Sequence, residues 1–172
     1  MKKTLKLGIL TLEFFIYYKC YATLIIYKKY MRLLIFIIIR LEDNMLKIVS
    51  GDIIENAKKY GVEAIVNPNN KYMDYGCGVC GAIYDAAGIE QIENYCHNKW
   101  LKNMEVNEIR ITPGFYLQKE IIHVYAPIFS QEKNPIEKLK ECYLNLFEKL
   151  IEEKFNSVII PSLATGFHRI YS

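Results

Sequence analysis

A short segment rich in glycine and cysteine stands immediately before a predicted helix. Tyr75–Gly81 reads Tyr-Gly-Cys-Gly-Val-Cys-Gly, and small and apolar residues then recur at helical spacing over Val79–Ala87, with Gly88 as the predicted stop. The backbone N–H groups of such a loop and the positive end of the helix can jointly hold an anion, and glycines let the backbone approach it closely. The segment therefore indicates an anion site, with a purely structural turn as the alternative.

A second turn of small residues, Ser162–His168, follows a predicted strand near the end of the sequence. Two such turns can wrap both sides of a diphosphate, so together they favour a pyrophosphate ligand. The first turn is not a Walker A loop, because no Gly-Lys-Ser or Gly-Lys-Thr follows it. Its glycines also lack the spacing of the dinucleotide-binding fold.

Cys77 and Cys80 form a Cys-x-x-Cys pair, which opens two other interpretations. One is a redox disulfide at a helix N-terminus, and the other is half of a zinc site. Zinc needs two more ligands, for which Cys96 and the adjacent His97 are the nearby candidates. The five cysteines are an odd number at irregular spacing, which favours reduced thiols and a cytoplasmic location.

The elements that must position these turns alternate between strand and helix patterns. Strand patterns cover residues 46–49, 63–66, 109–117, 120–127 and 157–160, and helix patterns cover residues 53–60, 79–87, 89–101 and 135–154. Asn67–Asn70 is predicted as a loop, because Pro68 disfavours the helical region for Asn67 and asparagine side chains stabilise turns. This alternation predicts an α/β domain with a sheet covered on both faces and ligands bound beyond the carboxyl ends of the strands.

Composition sets limits on the partners. The sequence has 172 residues, 52% hydrophobic and 24% charged, which excludes disordered and collagen-like chains. Residues 1–44 carry eight Lys or Arg and three acidic residues, a local charge of +5 within a formal total of +3, so residues 45–172 stand at −2. That part has no basic excess to neutralise phosphates, so no nucleic-acid partner is expected.

Residues 1–44 are predicted to be a hydrophobic and basic extension, separate from a domain at residues 45–172. Charged residues interrupt its apolar runs, so none reaches the roughly 18–20 residues that a membrane-spanning helix needs. Glu13 within the apolar stretch and the lack of a small-residue cleavage site argue against a signal peptide. An interfacial membrane anchor is one remaining interpretation. The favoured one is an upstream stretch outside the mature protein, with Met45 as the natural start.

From Met45 to Phe167 the motifs, taken in order, resemble the macrodomain family, the ADP-ribose-binding α/β/α module. The motifs that carry the resemblance are Ile48–Ile53, Ala64–Asn70, Gly76–Gly88, Ile111–Gly114, Ile121–Val124 and Pro161–Phe167. The resemblance implies three layers around a central mixed sheet. A complete macrodomain continues through a further helix and strand past the point where Ser172 stands, so those two elements are expected to be missing. The resemblance also implies ADP-ribose or an ADP-ribosylated protein as the partner, a monomer, and no cofactor or metal.

The resemblance further implies roles for individual residues. Asp52 would accept a hydrogen bond from the adenine amino group as a buried carboxylate, and the Ile53 backbone would contact the ring edge. Asn70 would hold hydroxyls of the distal ribose and position a water for attack. Helix N-capping is the alternative for Asp52 and turn stabilisation the alternative for Asn70, the role predicted for Asn67.

The two turns would line the diphosphate and the distal ribose. One side would be formed by Gly76, Gly78 and Val79, and the other by Ala164, Thr165, Gly166, Phe167 and His168. His168 would stack on the distal ribose, with a surface position as the alternative. His123, within a strand pattern, is predicted to be a hydrogen-bonded core histidine rather than a catalyst.

The resemblance favours hydrolysis of ADP-ribosyl esters: mono-ADP-ribosylated protein, O-acetyl-ADP-ribose or ADP-ribose 1''-phosphate. Cys80 stands where many de-ADP-ribosylating macrodomains have a catalytic Asp, and a thiol cannot act as that base unless it is a thiolate. A non-catalytic ADP-ribose reader is therefore the main alternative, and a Cys-x-x-Cys redox or zinc module is the third interpretation.

Overall fold

The computed structural model describes residues 35–40 and 45–165. Six strands form one mixed sheet in the order β2-β1-β6-β3-β5-β4. The strands are β1 (Ile35–Arg40), β2 (Met45–Ser50), β3 (Ala64–Pro68), β4 (Ile109–Thr112), β5 (Glu120–Val124) and β6 (Ser157–Pro161). The helices are α1 (Ile53–Lys59), α2 (Val79–Ala87), α3 (Ile89–Lys99) and α4 (Pro135–Glu152), and short 3-10 turns span Phe115–Leu117 and Phe129–Gln131.

Four strands of the sheet run in the same direction. β3 is parallel to both β5 and β6. β1 is antiparallel to β2 and to β6, so β2 runs in the direction of β6. The carboxyl ends of β2, β6, β3 and β5 therefore meet at one edge of the sheet, where ligands of α/β proteins bind.

Local sequence accounts for the helix boundaries near this edge. Asp52 caps α1 by accepting the Glu55 N–H at 2.9 Å. Gly88 ends α2, as predicted, and Pro135 occupies the first turn of α4.

Helices cover both faces of the sheet. On one face, Ile65, Ile121 and Ile159 belong to a core cluster that includes buried residues of α1, α2 and α3. The alternating positions Val66 and Ile122 are buried as well, and side chains of successive strand residues point to opposite faces. On α4 a buried apolar stripe comprises Leu139, Cys142, Tyr143, Leu146, Phe147 and Leu150. The α/β/α architecture is thus confirmed.

Several predicted boundaries were wrong, including that of the strand predicted at residues 120–127, which ends at Val124. Asn67 and Pro68 lie within β3 rather than in a loop, because the parallel pairing with β5 continues to Pro68 opposite Val124. Proline is tolerated at such a strand end. The strand predicted at residues 109–117 ends at Thr112, and a 3-10 turn follows at Phe115–Leu117. Gly114 packs against the backbone of Lys119 so closely that a Cβ at this position would clash with it.

Strand β1 lies upstream of the boundary that the sequence suggested at Met45. It pairs with β2 over six residues and with β6 over five, so it is an interior strand of the sheet. Ile38 is fully buried and Ile39 is 8% exposed. The folded unit that contains the sheet begins at Leu34.

Within residues 35–40 and 45–165, no helix is both long and apolar enough to cross a bilayer.

Candidate functional site

Loops from three parallel strands meet at the carboxyl edge of the sheet. Phe36 of β1 lies opposite Val49 on one side and Pro161 on the other, so β2 and β6 end at the same level. The segments that follow β2, β3 and β6 carry the predicted ligand-contacting residues. β2 and β3 lie three strand spacings apart, about 14 Å, which gives this edge the breadth to hold an extended ligand.

The turn after β2 presents an exposed carboxylate. Asp52 is exposed, so the prediction that its carboxylate is buried was wrong. Its side chain caps α1, as the alternative interpretation predicted. The buried Asn56 donates to the carbonyls of Ser50 and Asp52, at 3.2 and 2.8 Å, and fixes this turn. Ile53 is 1% exposed and anchors the first turn of α1 in the core.

The turn after β3 is organised by the side chain of Asn70. Its Oδ1 accepts the N–H groups of Tyr72 at 2.9 Å and Asp74 at 3.3 Å, and its Nδ2 donates to the Asp74 carbonyl at 2.8 Å. Asn70 thus stabilises the turn Asn70–Asp74, the role that the sequence had suggested for Asn67. One N–H of its amide is left over from these bonds.

A buried network of polar side chains forms hydrogen bonds to this turn. Asn69 is 2% exposed, and its Oδ1 accepts the Asn70 N–H at 2.8 Å. Its Nδ2 lies 3.0 Å from the Tyr84 hydroxyl, which donates to the Met73 carbonyl at 2.6 Å. Sequence analysis missed Asn56, Asn69 and Tyr84. Asn56 bonds to carbonyls only four and six residues away, whereas the tertiary fold brings Asn69 to Tyr84 and His123.

His123 ends the network in the interior of the sheet. Its Nδ1 lies 2.9 Å from Asn69 Nδ2 and 3.2 Å from Asn67 Nδ2, and its Nε2 lies 2.9 Å from Thr112 Oγ1. Burial lowers the pKa of His123 to about 3, so the imidazole is neutral. The predicted hydrogen-bonded core histidine is confirmed.

The glycine loop packs directly against the start of α2. A Cβ on Gly81 would lie 2.5 Å from the Gly76 carbonyl oxygen, and one on Gly76 would lie 3.2 Å from Cys80 Sγ. Glu93 of α3 accepts the Tyr75 N–H at 2.8 Å and holds the outer side of the loop. The loop is therefore fixed on both sides, next to the N–H groups that begin α2.

The two loop cysteines are free thiols. Cys77 is exposed, whereas Cys80 is 6% exposed and its Sγ lies 3.5 Å from Asn69 Oδ1. Burial raises the pKa of the Cys80 thiol to about 11, so this thiol is neutral at physiological pH. Across the described ranges, no three His, Cys, Asp or Glu side chains come together in a cluster that could hold a metal ion.

The turn after β6 is described as far as Thr165. Leu163 is buried and donates its N–H to the Tyr143 hydroxyl of α4 at 3.0 Å, and Thr165 Oγ1 donates to the Ser162 carbonyl at 2.8 Å. Gly166, Phe167 and His168, predicted to complete this turn, lie outside the described residues.

The turn after β3 and the turn after β6 each hold one non-glycine residue in the left-handed backbone region. Met73 has a φ of 62° and Ala164 a φ of 57°, and both are buried. This conformation costs about 1–2 kcal/mol for a residue with a Cβ. Such strain persists where the surroundings fix the backbone, as they often do at binding sites.

Known proteins share both sequence and fold with this chain. A model of the Macro domain family matches residues 66–170. A Macro domain-containing protein of Methanosarcina mazei is 37% identical over 132 residues, which are 74% of this chain and 67% of that protein. The rat ADP-ribose glycohydrolase MACROD1 is 35% identical over 111 residues, or 63% of this chain, but the match spans only 42% of the rat protein.

Solved structures agree with this relationship. A mutant Oceanobacillus iheyensis macrodomain with ADPR is 32% identical, with a TM-score of 0.58 over 71% of this chain and 66% of that one. The same macrodomain with ADP gives 29% identity and a TM-score of 0.61 over 77% and 72% of the two chains. The family match, the sequence relatives and the fold agree, and the chain belongs to the Macro domain family.

Proposed function

We propose that this macrodomain binds ADP-ribose at the carboxyl edge of its sheet. The observation that carries the proposal is the common direction of β2, β3 and β6, which delivers three loops to one edge. Asp52 accepts from the adenine amino group there, and the Ile53 N–H contacts the ring edge. The exposed position of Asp52 leaves its carboxylate accessible to a ligand.

The diphosphate lies between the glycine loop and the turn after β6. Gly76, Gly78 and Val79 contact it and the distal ribose from one side, where the N–H groups at the start of α2 favour an anion. From the other side the contacts come from Ala164, Thr165, Gly166, Phe167 and His168. Backbone amides supply most of this recognition. This agrees with the composition of residues 45–172, which have no excess of Lys and Arg over acidic residues.

The proposed reaction is hydrolysis of an ADP-ribosyl ester. A water held by Asn70 and a substrate phosphate oxygen adds to the ester or the anomeric carbon, and the acceptor group leaves with the proton. Because Cys80 is a neutral thiol, it supplies no anionic base, so positioning must contribute more than proton transfer. The glycohydrolase relative supports this choice of reaction.

A non-catalytic reader is the second candidate function. The neutral Cys80 thiol beside Asn69 favours it, since no ionised carboxylate stands at that point of the loop. Incubation with a mono-ADP-ribosylated protein separates the two candidates, because only the hydrolase releases free ADP-ribose.

Calorimetric titration with ADP-ribose tests the binding proposal itself. We expect saturable binding at a single site, with AMP and inorganic phosphate as weaker competitors because each fills only part of it. Failure of ADP-ribose to bind at millimolar concentration contradicts the proposal.

Replacement of Asn70 tests its role in the reaction. We expect Asn70→Ala to lower turnover by about 100-fold, because a misplaced reacting water loses the advantage of orientation, while the affinity for ADP-ribose stays within about threefold. Single-turnover release of ADP-ribose measures the first quantity and calorimetry the second. Asn98→Ala makes the same change at an exposed position of α3 and serves as the control. Unchanged turnover in Asn70→Ala removes Asn70 from the mechanism.

Replacement of Gly81 tests the glycine loop. A methyl group at this position would meet the Gly76 carbonyl oxygen at 2.5 Å, so the loop backbone must shift. We expect Gly81→Ala to lower the free energy of unfolding by about 1–3 kcal/mol and to weaken ADP-ribose binding at least about tenfold. Urea denaturation and calorimetry measure these effects. Ala86→Gly on the same helix should lower stability by about 1 kcal/mol and leave affinity unchanged. Wild-type affinity in Gly81→Ala would contradict the placement of the diphosphate.

A further inference from the structure

The Asn70 backbone N–H determines the direction of every hydrogen bond in the buried network of Asn69, Tyr84 and His123. The Asn70 backbone N–H can only donate, so the Asn69 side-chain atom 2.8 Å away must be the amide oxygen. The amide nitrogen of Asn69 then faces His123 Nδ1 and the Tyr84 hydroxyl. This assignment leaves no freedom in the orientation of the Asn69 amide.

The tautomer of His123 follows in the same way. Its Nδ1 faces the amide donors of Asn69 and Asn67, so Nδ1 is an acceptor and the ring proton is on Nε2. Nε2 then donates to Thr112 Oγ1 at 2.9 Å. Asn67 and His123 are direct partners across β3 and β5, two interior strands of the sheet, and this pairing fixes the position of the ring.

Tyr84 carries the network to the far end of the Asn70 turn. Its hydroxyl accepts from Asn69 and therefore donates its own proton to the Met73 carbonyl at 2.6 Å. Met73 is the residue of this turn with a left-handed backbone, and its N–H donates to the Asn70 carbonyl at 3.1 Å. Asn69 thus holds the start of the turn, and Tyr84 holds its end.

We propose that three buried residues, Asn69, Tyr84 and His123, are positioning residues. Their hydrogen bonds tie the turn Asn70–Asp74 to the sheet and so hold the Asn70 side chain in place. Without them, the strained Met73 backbone is free to relax and the Asn70 amide loses its orientation. The inference rests on the proposed function, because it assigns these residues to the same site and reaction. None of the three needs to touch the substrate.

A double-mutant cycle between Asn69 and Asn70 tests the proposal. We expect Asn69→Ala to lower kcat about 10- to 100-fold in the wild-type background with KM changed less than about threefold, and to change kcat less than about twofold when Asn70 is already Ala. A residue that only stabilises the fold would lower kcat by the same factor in both backgrounds, and that result would overturn the proposal.

Tyr84→Phe provides a variant that removes a single oxygen atom. We expect the backbone amides of Tyr72 and Asp74, which bond to Asn70 Oδ1, to exchange with solvent at least about tenfold faster in this variant. Tyr95→Phe makes the same change on α3, where the hydroxyl accepts from Lys99, and should leave those rates unchanged. Unchanged exchange in Tyr84→Phe would overturn the proposal.

The two measurements also separate this inference from the proposed function. If wild-type protein releases no ADP-ribose from any ester while Tyr84→Phe accelerates exchange as expected, the hydrolase proposal fails and the positioning of Asn70 stands. If wild-type protein turns over and the kcat effects of Asn69→Ala and Asn70→Ala multiply independently, the positioning proposal fails and the hydrolase proposal stands.

Discussion

A chain that begins at Met45 is expected to lose most of its folding stability, because it lacks the interior strand β1. Residues 35–40 pair with β2 on one side and β6 on the other, so removing them breaks two ladders at once. The net contribution of a backbone hydrogen bond is about 0.5–1.5 kcal/mol, and burial of an isoleucine side chain adds about 1.5–3 kcal/mol. Together these losses reach the 5–15 kcal/mol that typical domains have in total.

Urea denaturation of two shortened chains measures this effect. A chain beginning at Leu34 is the control, because it keeps β1 and removes only what precedes it. We expect the Met45 chain to show no cooperative transition or a greatly reduced midpoint. Equal midpoints for the two chains would show that β1 is not part of the stable sheet.

Point substitutions give the same test in the complete chain. Ile38 is fully buried in β1, so Ile38→Asp places an unpaired charge in the interior and should cost more than about 3 kcal/mol. Ile48 of the neighbouring β2 is 59% exposed, and Ile48→Asp should change stability by less than about 0.5 kcal/mol. A similar cost for both substitutions would contradict an interior position for β1.

The missed strand shows where sequence patterns reach their limit. The run Ile35–Ile39 is apolar at every position, so its periodicity cannot separate a fully buried strand from a membrane-associated segment. α2 was predicted with its observed bounds, since Gly88 marks its end and its apolar spacing is helical. Features that depend on neighbouring residues, such as the end of α2, could therefore be predicted from the sequence. The pairing of β1 with β6, more than a hundred residues away, could not.

Some features of the candidate site could likewise be predicted from local sequence, and others depended on the tertiary fold. The glycine loop and its helix could be predicted from local chemistry, and the motif order gave the family. The role of Asn70 in its turn, the exposure of Asp52 and the bonds of Asn69 depend on which groups the fold places opposite them. The three asparagines within residues 67–70 indicated a polar turn. They did not indicate that Asn67 would lie in a strand, that Asn69 would be buried, or that Asn70 would stabilise the turn.

The second large effect is expected in acid, where His123 should destabilise the folded protein. Its described hydrogen-bond and ring neighbours are Asn67, Asn69, Thr112 and Tyr84, which are all uncharged at neutral pH. A protonated Nδ1 would also point a hydrogen at amide donors that already face it. Burial therefore holds the pKa of His123 at about 3 in the folded state, below the ordinary histidine value of about 6.5 that applies when the chain unfolds.

The direction of the pH dependence follows from these two values. Between about pH 6.5 and pH 3 the unfolded chain binds a proton at this residue and the folded chain does not, so stability falls as the pH falls through this range. The slope approaches about 1.4 kcal/mol per pH unit well below pH 6.5, is about half that value at pH 6.5, and nearly vanishes above about pH 7.5. Measurement between pH 6.5 and pH 5 keeps the result clear of the carboxylates, which titrate lower.

Two histidine variants isolate the residue responsible for the slope. His123→Asn keeps an acceptor near the Nδ1 position but cannot titrate, so the variant should be less stable at pH 7 and should lose the slope between pH 6.5 and pH 5. His97 is exposed and pairs with Asp74 at 2.8 Å on the outer side of the site turn, so His97→Asn should retain the slope. Urea midpoints at several pH values measure both variants. A full slope in His123→Asn would mean that another group takes up the proton, and His123 would then not be the source of acid sensitivity.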